Sequence, residues 1–128
     1  MSHSLPIRVY YEDTDMAGIV YYANYLRYIE RARSDWVRGL GIDQNVMKSQ
    51  GLVFAVRRVE ADYLMPARLD DELVVQTEVL QITGARLVMD QTVLRGKDRL
   101  FHAIVTVVVI TESGQPGRMP ANLRQILH

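Results

Sequence analysis

The order of apolar and polar residues changes period along this chain, and each change marks an element. Ile7, Val9 and Tyr11 alternate with Arg8, Tyr10 and Glu12, a pattern that predicts a strand with one face toward a core. Asp13-Thr14-Asp15-Met16-Ala17-Gly18 follows, and its Asp, Thr and Gly content predicts a turn or loop. From Asn24 the spacing lengthens. Tyr25, Leu26, Ile29, Ala32, Trp36, Val37 and Leu40 recur at helical steps, with Arg27, Glu30, Arg31, Ser34, Asp35 and Arg38 opposite them. This predicts one amphipathic helix, with Asn24 as N-cap and Gly41 as C-terminal stop. Ile42–Gln50 reads as a shorter helical or irregular segment that Gly51 ends.

The remainder reads as strand: Leu52–Leu64, terminated by Pro66, then Leu73–Ile82, Arg86–Arg95 and Leu100–Thr111. Thr83-Gly84 and Gly96-Lys97-Asp98 supply turn chemistry, so consecutive strands are expected to form antiparallel hairpins. The last strand is apolar on both faces, with Phe101, Ala103, Val105, Val107 and Val109 on one and Ile104, Val108 and Ile110 on the other. After Ser113 the Gly- and Pro-rich tail predicts a loop with a terminal helical turn at Leu123–Leu127. One long helix across a five-stranded antiparallel sheet satisfies this burial pattern, an α+β arrangement with the helix on one face only. The other face needs a cover, and a second copy of the chain is the expected one.

Length and charge narrow the function. The 128 residues predict a single domain spanning 1–128, with a folded surface of roughly 6,900 Å². Fifteen basic residues balance fifteen acidic ones, so there is no global field for drawing in nucleic acid. Without cysteine there is no thiol nucleophile, thiolate metal site or disulfide framework. The first residues show no basic-then-apolar leader, and the apolar run Val105–Ile110 is too short to span a bilayer, so a soluble cytoplasmic protein is expected.

The connection Asp13–Tyr22 is where chemistry is most concentrated. Two carboxylates, a glycine and the apolar step Ile19-Val20 lead into a helix N-terminus, whose free N–H groups can hold an anionic oxygen. A carboxylate there can attack a carbonyl carbon, or activate water, while the amides polarise the carbonyl oxygen. By itself, Asp-Thr-Asp before a helix is more commonly turn chemistry. Two carboxylates with no third oxygen ligand at motif spacing are a poor metal site. His3, His102 and His128 are too scattered for one, and no metal is expected. Ser34, Ser49 and Ser113 lack the glycines of a nucleophile elbow.

The segment Val9-Tyr10-Tyr11-Glu12-Asp13-Thr14-Asp15-Met16-Ala17-Gly18-Ile19-Val20-Tyr21-Tyr22-Ala23-Asn24-Tyr25, continuing to Glu30-Arg31-Ala32-Arg33, resembles the signature of hot-dog-fold acyl-CoA thioesterases. The similar groups are the Tol–Pal-associated YbgC type and the 4-hydroxybenzoyl-CoA thioesterase type. Tyr63-Leu64-Met65-Pro66-Ala67-Arg68-Leu69-Asp70-Asp71 is a second matching patch. The resemblance implies a hot-dog fold and hydrolysis of an acyl-coenzyme A thioester without a cofactor. It implies that Asp15 is the catalytic nucleophile or general base, that Gly18 lets the loop pass close to the substrate, and that the Tyr22 backbone N–H stabilises the oxyanion. Asp13 matches the first motif aspartate, at the edge of the substrate site and chiefly a loop organiser. Asn24 and Tyr25 match the helix-opening pair, a cap and a core contact beside the substrate.

YbgC-type proteins usually carry His where this chain has Tyr22, whereas the 4-hydroxybenzoyl type has Tyr. Arg57, Arg58 and Lys97, among other basic residues, become candidates for holding coenzyme A phosphates. A homo-oligomer is expected, a dimer at least and by the resemblance a homotetramer. The alternative is a non-catalytic acyl-CoA-binding or scaffold module of the same fold. A hydratase of that fold, or a metal-dependent phosphoester hydrolase, has less support.

Overall fold

The computed structural model describes residues 2–125, so Met1, the end of the expected terminal turn through Leu127, and His128 lie outside the described residues. The element order is β1 (Ser2–Arg8), a 3-10 turn (Tyr11–Asp13), α1 (Asn24–Gly39), α2 (Gln44–Ser49), β2 (Leu52–Tyr63), β3 (Glu72–Ile82), β4 (Arg86–Arg95), β5 (Asp98–Thr111) and α3 (Ala121–Arg124). The strands form one antiparallel sheet in the order β1-β3-β4-β5-β2, with α1 on one face.

Period-two burial holds where the sheet meets α1. Leu73, Val75 and Thr77 of β3, Leu87, Met89, Gln91 and Val93 of β4, and Phe101 to Val109 at alternate positions of β5 are all buried. Against them α1 packs Tyr25, Tyr28, Ile29, Ala32, Trp36 and Val37. Gly41 takes a φ of 81°, and its N–H donates to Arg38 O while that of Ile42 donates to Val37 O. This paired left-handed cap stops α1 where the glycine predicts. The Asp43 carboxylate accepts from the Asn45 and Val46 N–H groups and starts α2.

Three expectations are corrected. The first strand lies earlier, at Ser2–Arg8, and Tyr10 and Tyr11 are exposed, because the chain leaves the sheet at Val9 to make the turn that buries Asp13. Asn24 is the first helical residue and not the N-cap; its side-chain amide donates to Asp13 O at 2.9 Å, tying the loop to the helix. Leu26 is exposed while Tyr28 is fully buried, so the apolar stripe of α1 is rotated from the expected one. The hairpins expected at Thr83-Gly84 and Gly96-Lys97-Asp98 join β3 to β4 and β4 to β5, whereas β2 and β3 are not neighbours. Leu64–Asp71 is too long for a tight hairpin and carries the chain across the sheet end, so among the described residues β2 pairs only with β5.

The tail closes the core over β5. The Gly117 N–H donates to Val109 O at 2.8 Å, and Met119 and Leu123 are buried. A Cβ at Gly117 would lie 2.9 Å from Val109 Cγ1, so this close approach needs glycine. The opposite sheet face is uncovered, leaving Ile104, Val108 and Ile110 partly exposed. Among the described residues, no helix is long and apolar enough to cross a membrane.

Candidate active site

Two segments distant in sequence meet at one end of the sheet. The first folds back on itself: Thr14 bridges Val20, the Asp15 N–H donates to Ile19 O, and the Gly18 N–H donates to Asp15 O, both at 3.0 Å. Gly18 has a φ of 77°, which this reversal requires, and no atom lies within 4 Å of where its Cβ would stand. Its glycine is therefore explained here by backbone conformation. The second segment, 64–71, packs alongside. Ile19 bridges Arg68, the Val20 N–H donates to Ala67 O, and the Ala67 N–H donates to the Tyr25 hydroxyl at 3.0 Å.

The two motif aspartates have opposite surroundings. Asp13 is 7% exposed; its Oδ2 accepts the Tyr10 N–H at 2.8 Å, and its carbonyl accepts from the Tyr21 N–H and the Asn24 amide. It organises the loop. Among the described residues the buried Tyr28 hydroxyl nearby has no hydrogen-bond partner, and burial, then the Asp13 charge, raises its pKa. Asp15 is exposed. Its Oδ1 accepts the Ala17 N–H at 2.9 Å, and among the described residues its other oxygen has no partner. Turn chemistry thus fixes the carboxylate while leaving one oxygen available. The Tyr22 hydroxyl beside Tyr21 raises the Tyr21 pKa, and the Asp15 charge adds to this in the same direction.

Donors stand ready at the mouth of α1. Among the described residues, the Tyr22 and Ala23 N–H groups donate to no protein acceptor. The Tyr63 hydroxyl donates to Tyr22 O at 3.1 Å and so orients the peptide that carries the Ala23 N–H. Tyr63 opens the second motif patch, which is the signal that could have singled it out as a site residue. Its ring stands 6.1 Å from Tyr22 and 5.0 Å from Phe101, and Phe101 stacks on Tyr25 at 5.1 Å and 12°.

Between these walls runs an open groove of about 330 Å³, with Ile19, Val20, Tyr22 and Tyr25 on one side and Tyr63 to Pro66 on the other. Its size and apolar, aromatic lining suit part of a small organic ligand. Asp71 pins the far wall through the Arg68 N–H and Arg95 Nη1, both at 2.8 Å, and Arg95 also donates to Pro66 O. Burial works to raise the Asp71 pKa, but these donors and the positive charges outweigh it and hold the pKa down.

The structure places Tyr22 and Tyr25 on the groove wall and Asp13, Asp15 and Gly18 in the loop that leads to it, but it does not bring all the basic candidates there. Lys97 is exposed at the β4–β5 turn, at the same end of the sheet as Phe101 and Tyr63. Arg57 and Arg58 stand on β2, roughly 17–20 Å from Tyr63 at about 3.3 Å per residue. Arg58 pairs with Glu60 at 3.1 Å. His3 and His102 are taken up by Asp35 and Asp90, on opposite sides of the sheet from each other.

Known proteins resemble this chain in sequence and fold. The thioesterase-like superfamily matches residues 9–127. An acyl-CoA thioesterase YbgC of Haemophilus influenzae is 39% identical over 127 residues, covering 98% of this chain and 93% of that protein. An acyl-CoA thioester hydrolase YbgC of Escherichia coli is 38% identical, covering 84% of this chain and 80% of its own. Among solved structures, a probable thioesterase from Bartonella henselae superposes with a TM-score of 0.89 at 38% identity, covering 94% of this chain and all of that one.

Proposed function

Because this chain belongs to the thioesterase-like superfamily, we infer that it is an acyl-coenzyme A thioester hydrolase, the activity named for its YbgC relatives. The observation that carries the reading is an exposed, half-engaged Asp15 carboxylate in the loop that runs directly into unused N–H donors at Tyr22 and Ala23. The thioester oxygen accepts from the Tyr22 N–H, assisted by the positive end of α1. The free Asp15 oxygen either attacks the carbonyl carbon or takes a proton from water that attacks it. In the water route, collapse of the tetrahedral adduct gives the carboxylic acid and expels the coenzyme A thiolate, which takes the proton Asp15 accepted. In the direct route, collapse expels the thiolate and leaves a mixed anhydride on Asp15. Water hydrolyses it to the acid, regenerating the Asp15 carboxylate and supplying the proton that the thiolate takes up.

The groove beside Tyr22 and Tyr63 accommodates the acyl group. Lys97 is the proposed phosphate contact within one chain. Arg57 and Arg58, near the open edge of β2, are proposed to meet coenzyme A only in an assembled oligomer. Two features support assembly: the uncovered Ile104, Val108 and Ile110, and a surface of 7785 Å², above the roughly 6,900 Å² expected for a monomer of this mass. A dimer at least, extending to a homotetramer, in the cytoplasm where acyl-CoA is kept, completes the proposal.

The oxyanion role belongs to backbone, so it can be separated from the Tyr22 side chain. Tyr22→Phe is expected to keep kcat within about threefold, whereas Tyr22→Pro, which removes the N–H, is expected to lower it by about 10²–10³. Thiol release from acyl-CoA substrates measures both. Equal loss in the two variants would place the role on the phenol instead. Turnover of no acyl-CoA across acetyl, palmitoyl and benzoyl thioesters, with tight coenzyme A binding, would favour the non-catalytic module.

A further inference from the structure

A second cavity, away from Asp15 and Tyr22, opens between α1 and the sheet. It holds about 140 Å³, and its apolar surfaces include Val37, Phe54, Leu87, Met89 and Val107. A cavity of about this size takes benzene, so its apolar part suits a body of about six carbons.

Two charged groups line this space, Arg33 and Glu30. Arg33 lines the cavity, half-buried, and its Nη1 donates to the neutral Gln91 Oε1 at 3.0 Å. Gln91 is itself locked under the helix, donating to Ile29 O and Thr77 Oγ1, so it fixes the guanidinium without neutralising it. No carboxylate lies within ion-pair distance of Arg33 among the described residues. Its other N–H donors have no protein partner, yet they are not sealed in. Desolvation lowers its pKa, opposed by the Glu30 charge, but the group stays cationic. Glu30 stands at the rim with one oxygen accepting the Ser34 hydroxyl at 2.9 Å. A partly desolvated guanidinium with unused donors favours a planar, bidentate anion over water.

We propose that this cavity binds a small organic monocarboxylate, its carboxylate on the Arg33 guanidinium and its apolar body of up to about six carbons against Phe54, Leu87 and Met89. The inference does not depend on the role of Asp15, and it adds a ligand site separate from the thioester groove. Glu30 weakens the site by like-charge repulsion, and Gln44 is the polar neighbour contributed by α2.

The test is titration of the intact protein with hexanoate and with hexan-1-ol, followed calorimetrically and by methyl NMR of the cavity residues. Hexanoate is expected to bind, and hexanol to bind at least about tenfold more weakly, because the charge-assisted hydrogen bonds are lost. Arg33→Met is expected to weaken hexanoate to a similar extent. Val56→Trp, at a lining position whose strand partner is the inward-facing Val107, fills the cavity while keeping Arg33 and is expected to abolish binding, and Glu30→Gln to strengthen it. Asp15→Asn is expected to bind hexanoate as the parent does, which separates this site from the hydrolytic one. Equal binding of hexanol, unchanged binding by folded Val56→Trp, or no binding of millimolar hexanoate, as when a second copy of the chain fills the space, would overturn the proposal.

Discussion

Asp15→Asn is expected to lower kcat for acyl-CoA hydrolysis by about 10³-fold or more, a loss of about 4 kcal/mol in transition-state stabilisation. The amide has the shape of the carboxylate but neither attacks a thioester nor takes a proton from water at neutral pH. Fold and substrate affinity are expected to survive. Asn also forms side-chain turns of this type, so its Oδ1 can go on accepting the Ala17 N–H. The position is exposed, where substitutions usually change stability by less than about 0.5 kcal/mol. The signature is therefore a collapse of kcat with KM and the unfolding midpoint nearly unchanged, read by thiol release and thermal melting. A variant that kept near-parental turnover would remove Asp15 from the chemistry.

The second large effect is structural. Phe101→Ala is expected to cost about 3–5 kcal/mol, a large share of the 5–15 kcal/mol typical of a domain. Phe101 is 0% exposed, stacks on Tyr25 and meets the edge of Tyr63, so truncation leaves a hole bounded by two aromatic rings. The loss also propagates to the groove. Tyr25 holds the Ala67 N–H, and Tyr63 holds the Tyr22 carbonyl, so both walls depend on the ring between them. Urea unfolding is expected to show a lower midpoint with an unchanged slope, with KM for acyl-CoA rising in the folded fraction. A cost below about 1 kcal/mol would mean that the neighbouring rings close the gap without Phe101.

Residue patterns carry different amounts of this structure. Arg86–Arg95 has its observed ends because the turn residues Thr83-Gly84 and Gly96-Lys97 flank it. Gly41 marks the end of α1 because a left-handed cap selects glycine. The strand order is less legible. Nothing in the composition of Leu64–Asp71 says that it crosses the sheet end, since loop length excludes a tight hairpin without choosing the next partner. Tyr28 escaped the helical stripe because its hydroxyl reads as amphipathic, although the ring is buried against Tyr25 at 5.9 Å.

The candidate site divides in the same way. Asp15 and Gly18 were legible through a long motif whose turn chemistry is local. The Tyr63 hydroxyl was visible only as a motif member, because its hydrogen bond to Tyr22 O joins segments 41 positions apart. Gln91, Thr77 and Arg33 were not legible as a network at all. Polar residues at inward strand positions look like interruptions of a pattern until the helix above them supplies their partners. Arg57 and Arg58, grouped with the site by charge, stand well up β2 from it.

A crystal structure with a coenzyme A analogue that cannot be hydrolysed, in which a methylene separates the carbonyl from sulfur, measures the central claim most directly. The analogue's carbonyl oxygen is expected about 2.7–3.1 Å from the Tyr22 nitrogen, with its carbonyl carbon, or a water in line with it, about 3–3.5 Å from the free Asp15 oxygen. A carbonyl bound away from the α1 mouth, with Asp15 facing only solvent, would contradict it.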